Sequence, residues 1–215
     1  MRKKNNIQTN TELIHYLIGK GVLKSQALAN AIQRIDRKDF VITEEKINAY
    51  QDYPLPIGYG QTVSQPSTVA FMLELLNPQQ GEKILDIGSG SGRTTALLAK
   101  VVRSKGRVYG IDIIPELVKW GQDNINKYKL PQAKISLATN KYGLPKHAPY
   151  DKILVSAAGD EIPSELIEQL KIGGRMVIPI KNKVICLTKE IDGTIEMEEF
   201  GEFIFVPLIN PKMKR

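Results

Sequence analysis

The sequence predicts an α/β fold, a mostly parallel sheet covered by helices on both faces, with antiparallel C-terminal strands and a helical N-terminal extension. Three observations predict it. Beyond Gly81 short apolar runs alternate with segments of helical periodicity, which is how strands buried on two faces and their crossover helices read. The last third holds apolar runs without helices between them, and the first 40 residues or so carry apolar side chains at helical spacing. With 215 residues, 42% of them hydrophobic and 25% charged, the chain is sized for one compact structural unit. Residues 1–77 form the helical extension and a loop, and residues 78–215 form the core.

In the extension, Leu13, Ile14, Leu17 and Ile18 fall on one helix face, Gly19 and Gly21 end that helix, and Ser25 caps a second one bearing Leu28, Ile32 and Ile35. From Thr43 to Gln65 periodicity vanishes. The stretch "AYQDYPLPIGYGQTVSQP" reads as a long loop, and a loop of about 20 residues inside a compact domain usually carries function. Pro66 opens a helix with Val69, Ala70, Met72, Leu73 and Leu76 toward a core, closed by Asn77 and Pro78.

In the core, "KILDIG", "RVYGID", "KISLAT", "YDKILVSAA" and "RMVIPI" read as strands, the last introduced by Gly173 and Gly174. Between them "GRTTALLAKVV", "PELVKWGQDNINKY" and "PSELIEQL" read as helices. "KVICLTKEI", "TIEMEEF" and "EFIFVPL" follow as strands alone. A ligand is expected at the carboxyl ends of the parallel strands, where strand order reverses.

Composition narrows the chemistry. A single cysteine, Cys186, excludes an internal disulfide and a cysteine-based zinc cage, and its β-rich surroundings suit a buried small hydrophobe. Two histidines leave no metal site to expect and no Ser/His/Asp triad; His147 reads as a surface residue. The net charge of +7 comes from 30 basic residues interleaved with 23 acidic ones, so it marks no nucleic-acid module. No apolar run reaches the roughly 20 residues of a membrane span, and the basic start at Met1 to Lys4 is not followed by a signal-peptide pattern.

The chemistry concentrates after the first core strand, where Asp86 precedes Gly88-Ser89-Gly90-Ser91-Gly92-Arg93. Glycines there let the chain turn sharply into a helix and bring backbone N–H groups close to a ligand. A dinucleotide fingerprint would need a third glycine where Arg93 stands, so the spacing disfavours NAD and suits S-adenosylmethionine. Asp112 ends the second core strand about 24 residues after Gly88, near the ~20-residue offset at which an acid meets ribose hydroxyls. The lesser alternative is a solvated turn residue ahead of the helix that Pro115 opens. Ser64 is open in the same way, as a substrate contact or as the cap of the helix at Pro66.

The loop "AYQDYPLPIGYGQTVSQP", the turn "ILDIGSGSG", the segment "APYDKILVSAAGDEIPSELIEQLKIGGRMVIPI" and the ending "FVPL" resemble, in order and spacing, the protein-L-isoaspartate O-methyltransferase family, from about Leu13 to Leu208. The resemblance implies a Rossmann-like class I methyltransferase fold. It also implies a cytoplasmic repair enzyme that methylates the α-carboxylate of isoaspartyl residues with S-adenosylmethionine. Its implied site is Ser64 in catalysis, Ile57, Gly58, Thr62 and Val63 toward substrate, and Asp86, Gly88, Ser89, Gly90, Gly92, Asp112 and Thr139 toward cofactor, with no metal.

Two positions depart from the family. Thr139 stands where an aspartate usually meets the adenine amino group, and Arg93, expected as a surface-facing cation at a helix start, replaces an aromatic residue. The implied partners are isoaspartyl-containing proteins and peptides, with no nucleic acid and no membrane, and the chain is expected to be a monomer. A methyltransferase of the same fold acting on RNA or a small molecule, and a cofactor-binding homologue without catalysis, are the alternative readings.

Overall fold

The computed structural model describes residues 7–209; the basic start at Met1 to Lys4 lies outside them. Helices α1 (Asn10–Gly19) and α2 (Gln26–Arg34) form the lead-in. Ser25 caps α2 by accepting the Leu28 N–H, as its place in the sequence requires. Leu13, Leu17, Leu28, Ile32 and Ile35 are buried, whereas Ile18 is half exposed and lies off the packed face. These helices share one apolar core with the helices of the main body, so the lead-in is packed on the sheet domain through α2 and α4 (Arg93–Val102).

The stretch from Thr43 to Gln65 is more ordered than its lack of periodicity predicts. A 3₁₀ turn at Thr43–Asn48 leads to a hairpin of β1 (Leu55–Gly58) and β2 (Gln61–Val63). Gly58, Tyr59 and Gly60 all take positive φ at its tip, a turn that the two glycines make available, and strands of four and three residues are too short to print a period. Pro66 then opens α3 (Pro66–Leu76), which ends on Asn77 in the left-handed conformation.

The main sheet has seven strands: β3 (Lys83–Ile87), β4 (Arg107–Asp112), β5 (Ala133–Leu137), β6 (Tyr150–Val155), β7 (Leu170–Ile180), β8 (Lys183–Lys189) and β9 (Ile195–Phe200). Their spatial order is β5-β4-β3-β6-β7-β8-β9, parallel through β7 and antiparallel for β8 and β9, which is the fold the sequence predicts. Order reverses between β3 and β6, so the crevice for a ligand falls at the carboxyl ends of those strands.

Alternation sorts each strand between two cores. Ile84, Val108, Leu154 and Val177 face the larger one under α1 to α4, and Leu85, Ile111, Ile153 and Met176 face the one under α6 (Ser164–Gln169). The remaining helix, α5 (Pro115–Lys127), packs on β4 and β5.

Two expectations change. Strand β7 begins at Leu170, earlier than "RMVIPI"; its pairing with β6 shifts between Tyr150 and Lys152, and Gly173 at φ +75° carries the irregularity. "EFIFVPL" is not a strand, because its chain crosses the carboxyl end of the sheet and makes one parallel bridge, Pro207 to Ala158. The sheet therefore ends on β9, an outer strand whose surface is studded with Glu196, Glu198 and Glu199. Cys186 on β8 is buried, and burial pushes its thiol pKa up.

Candidate active site

The β3 to α4 turn is built by conformational constraint. Gly88, Gly90 and Gly92 sit at φ +78°, +52° and +87°, where a side chain would be strained. A Cβ on Gly90 would come 3.2 Å from Ile57 Cδ1, and one on Gly92 would meet the Gly121 carbonyl at 2.9 Å. The turn is thus wedged between the β1–β2 hairpin and α5. Asp112 locks it from the side: its carboxylate accepts the Gly90 N–H at 2.8 Å and the Ile114 N–H at 3.0 Å.

One cavity of about 1100 Å³, counted out to its mouth, gathers these pieces. Ile57, Thr62, Val63 and Ser64 form one wall, Gly88, Ser89, Gly90 and Asp112 the floor, and Ser156, Ala157, Pro207 and Leu208 the far rim. Elements distant in sequence therefore meet where strand order reverses. The Ser89 hydroxyl is buried with no partner in the protein, an orphan donor beside a glycine cradle, so the residues present fit a nucleoside-bearing ligand.

The other sequence-derived positions, Gly58, Asp86, Gly92 and Thr139, do not line this cavity. Gly58 is at the exposed hairpin tip and Gly92 is behind the floor. Asp86 is fully buried under the turn, accepting the Thr95 hydroxyl at 2.6 Å, and burial with the Asp112 charge nearby pushes its carboxyl up to about 7. Thr139 is exposed beyond β5, its hydroxyl accepting the Lys141 N–H, while Ala138, Lys141 and Tyr142 line the cavity.

The cap reading of Ser64 is overturned, because Gln65 occupies the N-cap of α3 with no side-chain cap bond and the Ser67 N–H goes to Asp52 at 2.9 Å. Arg93 also departs from expectation. It is 3% exposed, lines the cavity, and burial lowers its pKa to about 10. His147 is half-buried and stacked on Tyr109 away from the cavity.

Sequence reading missed two kinds of residue. The far rim from Val206 to Leu208 carries no periodic signal, since it is held by two backbone bonds to Ala158 at 2.8 and 2.7 Å. Arg37, fully buried behind the Ser64 wall, read as one charge among many; an arginine flanked by Ile35 and Phe40 was the available signal.

The sequence pattern of protein-L-isoaspartate(D-aspartate) O-methyltransferase matches residues 8–213. The chain belongs to this family. It is accordingly a class I methyltransferase-fold enzyme of the S-adenosylmethionine-dependent kind. It is 43% identical over 203 residues to the protein-L-isoaspartate O-methyltransferase of Aeropyrum pernix, covering 92% of this chain and 78% of that protein. The protein of the same name from Methanopyrus kandleri is 40% identical over 202 residues, covering 92% and 89%. Among solved structures, a Plasmodium falciparum chain described as a protein-L-isoaspartate O-methyltransferase and solved with S-adenosyl-L-homocysteine superposes with a TM-score of 0.84 at 26% identity. That match covers 95% of this chain and all of the other, 100%.

Proposed function

We propose that this enzyme transfers a methyl group from S-adenosylmethionine to the α-carboxylate of L-isoaspartyl residues in damaged proteins and peptides. The observation that carries the reading is the meeting of the Ser64 wall with the Gly88 to Gly90 floor and Asp112 in one cavity. Backbone N–H groups and Asp112 would hold the cofactor, with Asp112 offering its remaining lone pairs to ribose hydroxyls. The Thr139 hydroxyl accepts the Lys141 N–H and keeps a second lone pair that an adenine amino group could use.

When bound, the cofactor supplies an electrophilic methyl on a sulfonium. The chain's own residues have the simpler work of alignment. A carboxylate is already ionised at neutral pH, so no side chain has to remove a proton before attack. Ser64 and Thr62 on the hairpin wall can orient it by hydroxyl donors and leave its charge available. Ile57, Val63, Ile87, Ile111 and Leu208 give the lining an apolar share beside Arg93 and Lys141. Apolar surface around the reacting groups favours a reaction in which a negative carboxylate and a positive sulfonium neutralise one another.

The test is methyl transfer from labelled S-adenosylmethionine to an isoaspartyl peptide, its aspartyl twin and bulk RNA in parallel. Base-labile label on the isoaspartyl peptide alone is expected. Equal labelling of both peptides, or label on RNA only, would overturn the reading.

A further inference from the structure

Arg37 sits in a 3₁₀ turn, Arg37–Phe40, with no exposed surface, and five carbonyls converge on its guanidinium. Nη1 donates to Ala49 O at 2.7 Å and Gln51 O at 3.1 Å; Nη2 donates to Tyr53 O at 3.0 Å, Val63 O at 3.4 Å and Ser64 O at 3.1 Å. No carboxylate among the described residues forms an ion pair with it. Burial and the neighbouring charge of Arg93 hold its pKa well below the usual guanidinium range. A buried cation held only by neutral carbonyls, its Nε left without a partner, is costly, and it is tolerated here because one planar fork ties together both ends of the hairpin segment.

The last two acceptors are successive carbonyls converging on a single nitrogen, so the peptide planes on either side of Ser64 are turned the same way. In a trans peptide the N–H points opposite to the C=O. The Ser64 N–H shares its plane with the Val63 carbonyl, and the Gln65 N–H shares its plane with the Ser64 carbonyl. Both therefore point away from Arg37, and neither has a backbone or side-chain acceptor among the described residues. Ser64 itself lines the cavity.

We propose that Arg37 is the positioning residue of the acceptor wall. By drawing in the Val63 and Ser64 carbonyls it presents the Ser64 and Gln65 N–H groups, beside the Ser64 hydroxyl, as donors for the carboxylate to be methylated. Paired N–H groups turned to one side form an anion-binding concavity, and here the positive charge lies behind them. Arg37 never touches the substrate. The inference rests on the carboxyl-methylation reading above and names the group that makes the wall selective for a carboxylate.

The experiment measures binding, by calorimetry in saturating S-adenosylhomocysteine, of an isoaspartyl peptide and of its twin with the α-carboxylate replaced by a carboxamide. The wild type is expected to prefer the carboxylate by roughly tenfold or more, the scale of charge-assisted hydrogen bonds. Arg37→Lys keeps the charge but cannot gather five carbonyls. It should bind S-adenosylhomocysteine within about threefold of wild type and lose most of the preference, a ratio that loss of stability alone would not move.

An Arg37→Lys protein that keeps the full preference overturns the role of Arg37 alone; a wild type with no preference overturns the carboxylate reading with it. Should Arg37→Lys fail to fold, the wild type still decides by amide NMR. The Ser64 and Gln65 amide protons should shift downfield with the isoaspartyl peptide and not with the carboxamide twin. Equal or absent shifts refute the proposal.

Discussion

Asp112 Oδ2 accepts the Gly90 N–H at 2.8 Å, tying the end of the second core strand to the glycine turn that follows the first. The same carboxylate thus shapes the cavity floor and would meet the ribose. Asp112→Ala is expected to weaken S-adenosylhomocysteine binding by about 1–3 kcal/mol, the cost of losing a charged hydrogen-bond partner. Asp112→Asn, which keeps an acceptor for one of the two N–H groups, should lose less. Calorimetry on both folded variants checks the order; equal affinity for all three proteins would contradict it.

Ser64 lines the cavity and does not cap α3. Ser64→Ala should lower turnover on an isoaspartyl peptide by about 10–100-fold, the worth of one hydrogen bond to a charged group, and leave S-adenosylhomocysteine affinity nearly unchanged. Parallel steady-state kinetics and calorimetry separate the two effects. Loss of cofactor affinity as large as the loss of turnover would move Ser64 to the wrong side of the cavity.

The Thr139 hydroxyl accepts the Lys141 N–H at 3.3 Å and carries no charge. Thr139→Asp keeps an acceptor for that turn and adds a charged one for an adenine amino group. S-adenosylmethionine binding should tighten by up to about 1–2 kcal/mol, and an analogue without the exocyclic amino group should bind both proteins alike. A gain seen equally with both ligands would mean the new charge acts at a distance.

Asp86 makes stability depend on pH. Its folded pKa of about 7 lies above its ordinary value of 3.8, because burial disfavours the charged form. Its contribution is therefore complete below about pH 4 and lost as pH rises through about 7. Urea unfolding of wild type and Asp86→Asn from pH 4 to 8 should show the variant gaining on wild type across that window. A constant difference would remove Asp86 as the cause.

Asp52 works in the opposite direction. Burial pushes its carboxyl up, but bonds from the Ser67 N–H and Lys20 outweigh it and hold the pKa below 3.8. Its stabilisation is present above that value and lost as pH falls through the folded pKa. Asp52→Ala should cost about 1–3 kcal/mol near neutral pH, and the gap between variant and wild type should close in acid.

Much of the sheet was legible because it rests on local rules. Ile84 to Ile87 and Ile153 to Val155 announce themselves as apolar runs, and the glycine turn announces its helix. The floor of the site followed, since Gly88, Ser89, Gly90 and Asp112 lie at fixed places on that unit. What stayed hidden depends on contacts far apart in the chain. Arg37 meets the Ser64 carbonyl across 27 residues, the Val206 to Leu208 rim is held by Ala158, and Asp52 rather than Ser64 meets the first turn of α3. A surface-facing Arg93 was a reasonable expectation for a cation at a helix start, and it fails because the lead-in covers that end of α4.

The outer strand β9 has a bearing on the company this enzyme keeps. An unpaired strand edge is a template for any extended chain that comes near. Glu196 and Glu198 put negative charge on that edge, Glu199 being paired with Lys183, and charge on an edge discourages adhesion along the sheet. Replacing Glu196 and Glu198 by threonine, far from the cavity, is expected to leave its lining intact and to make extended peptides linger on this flank.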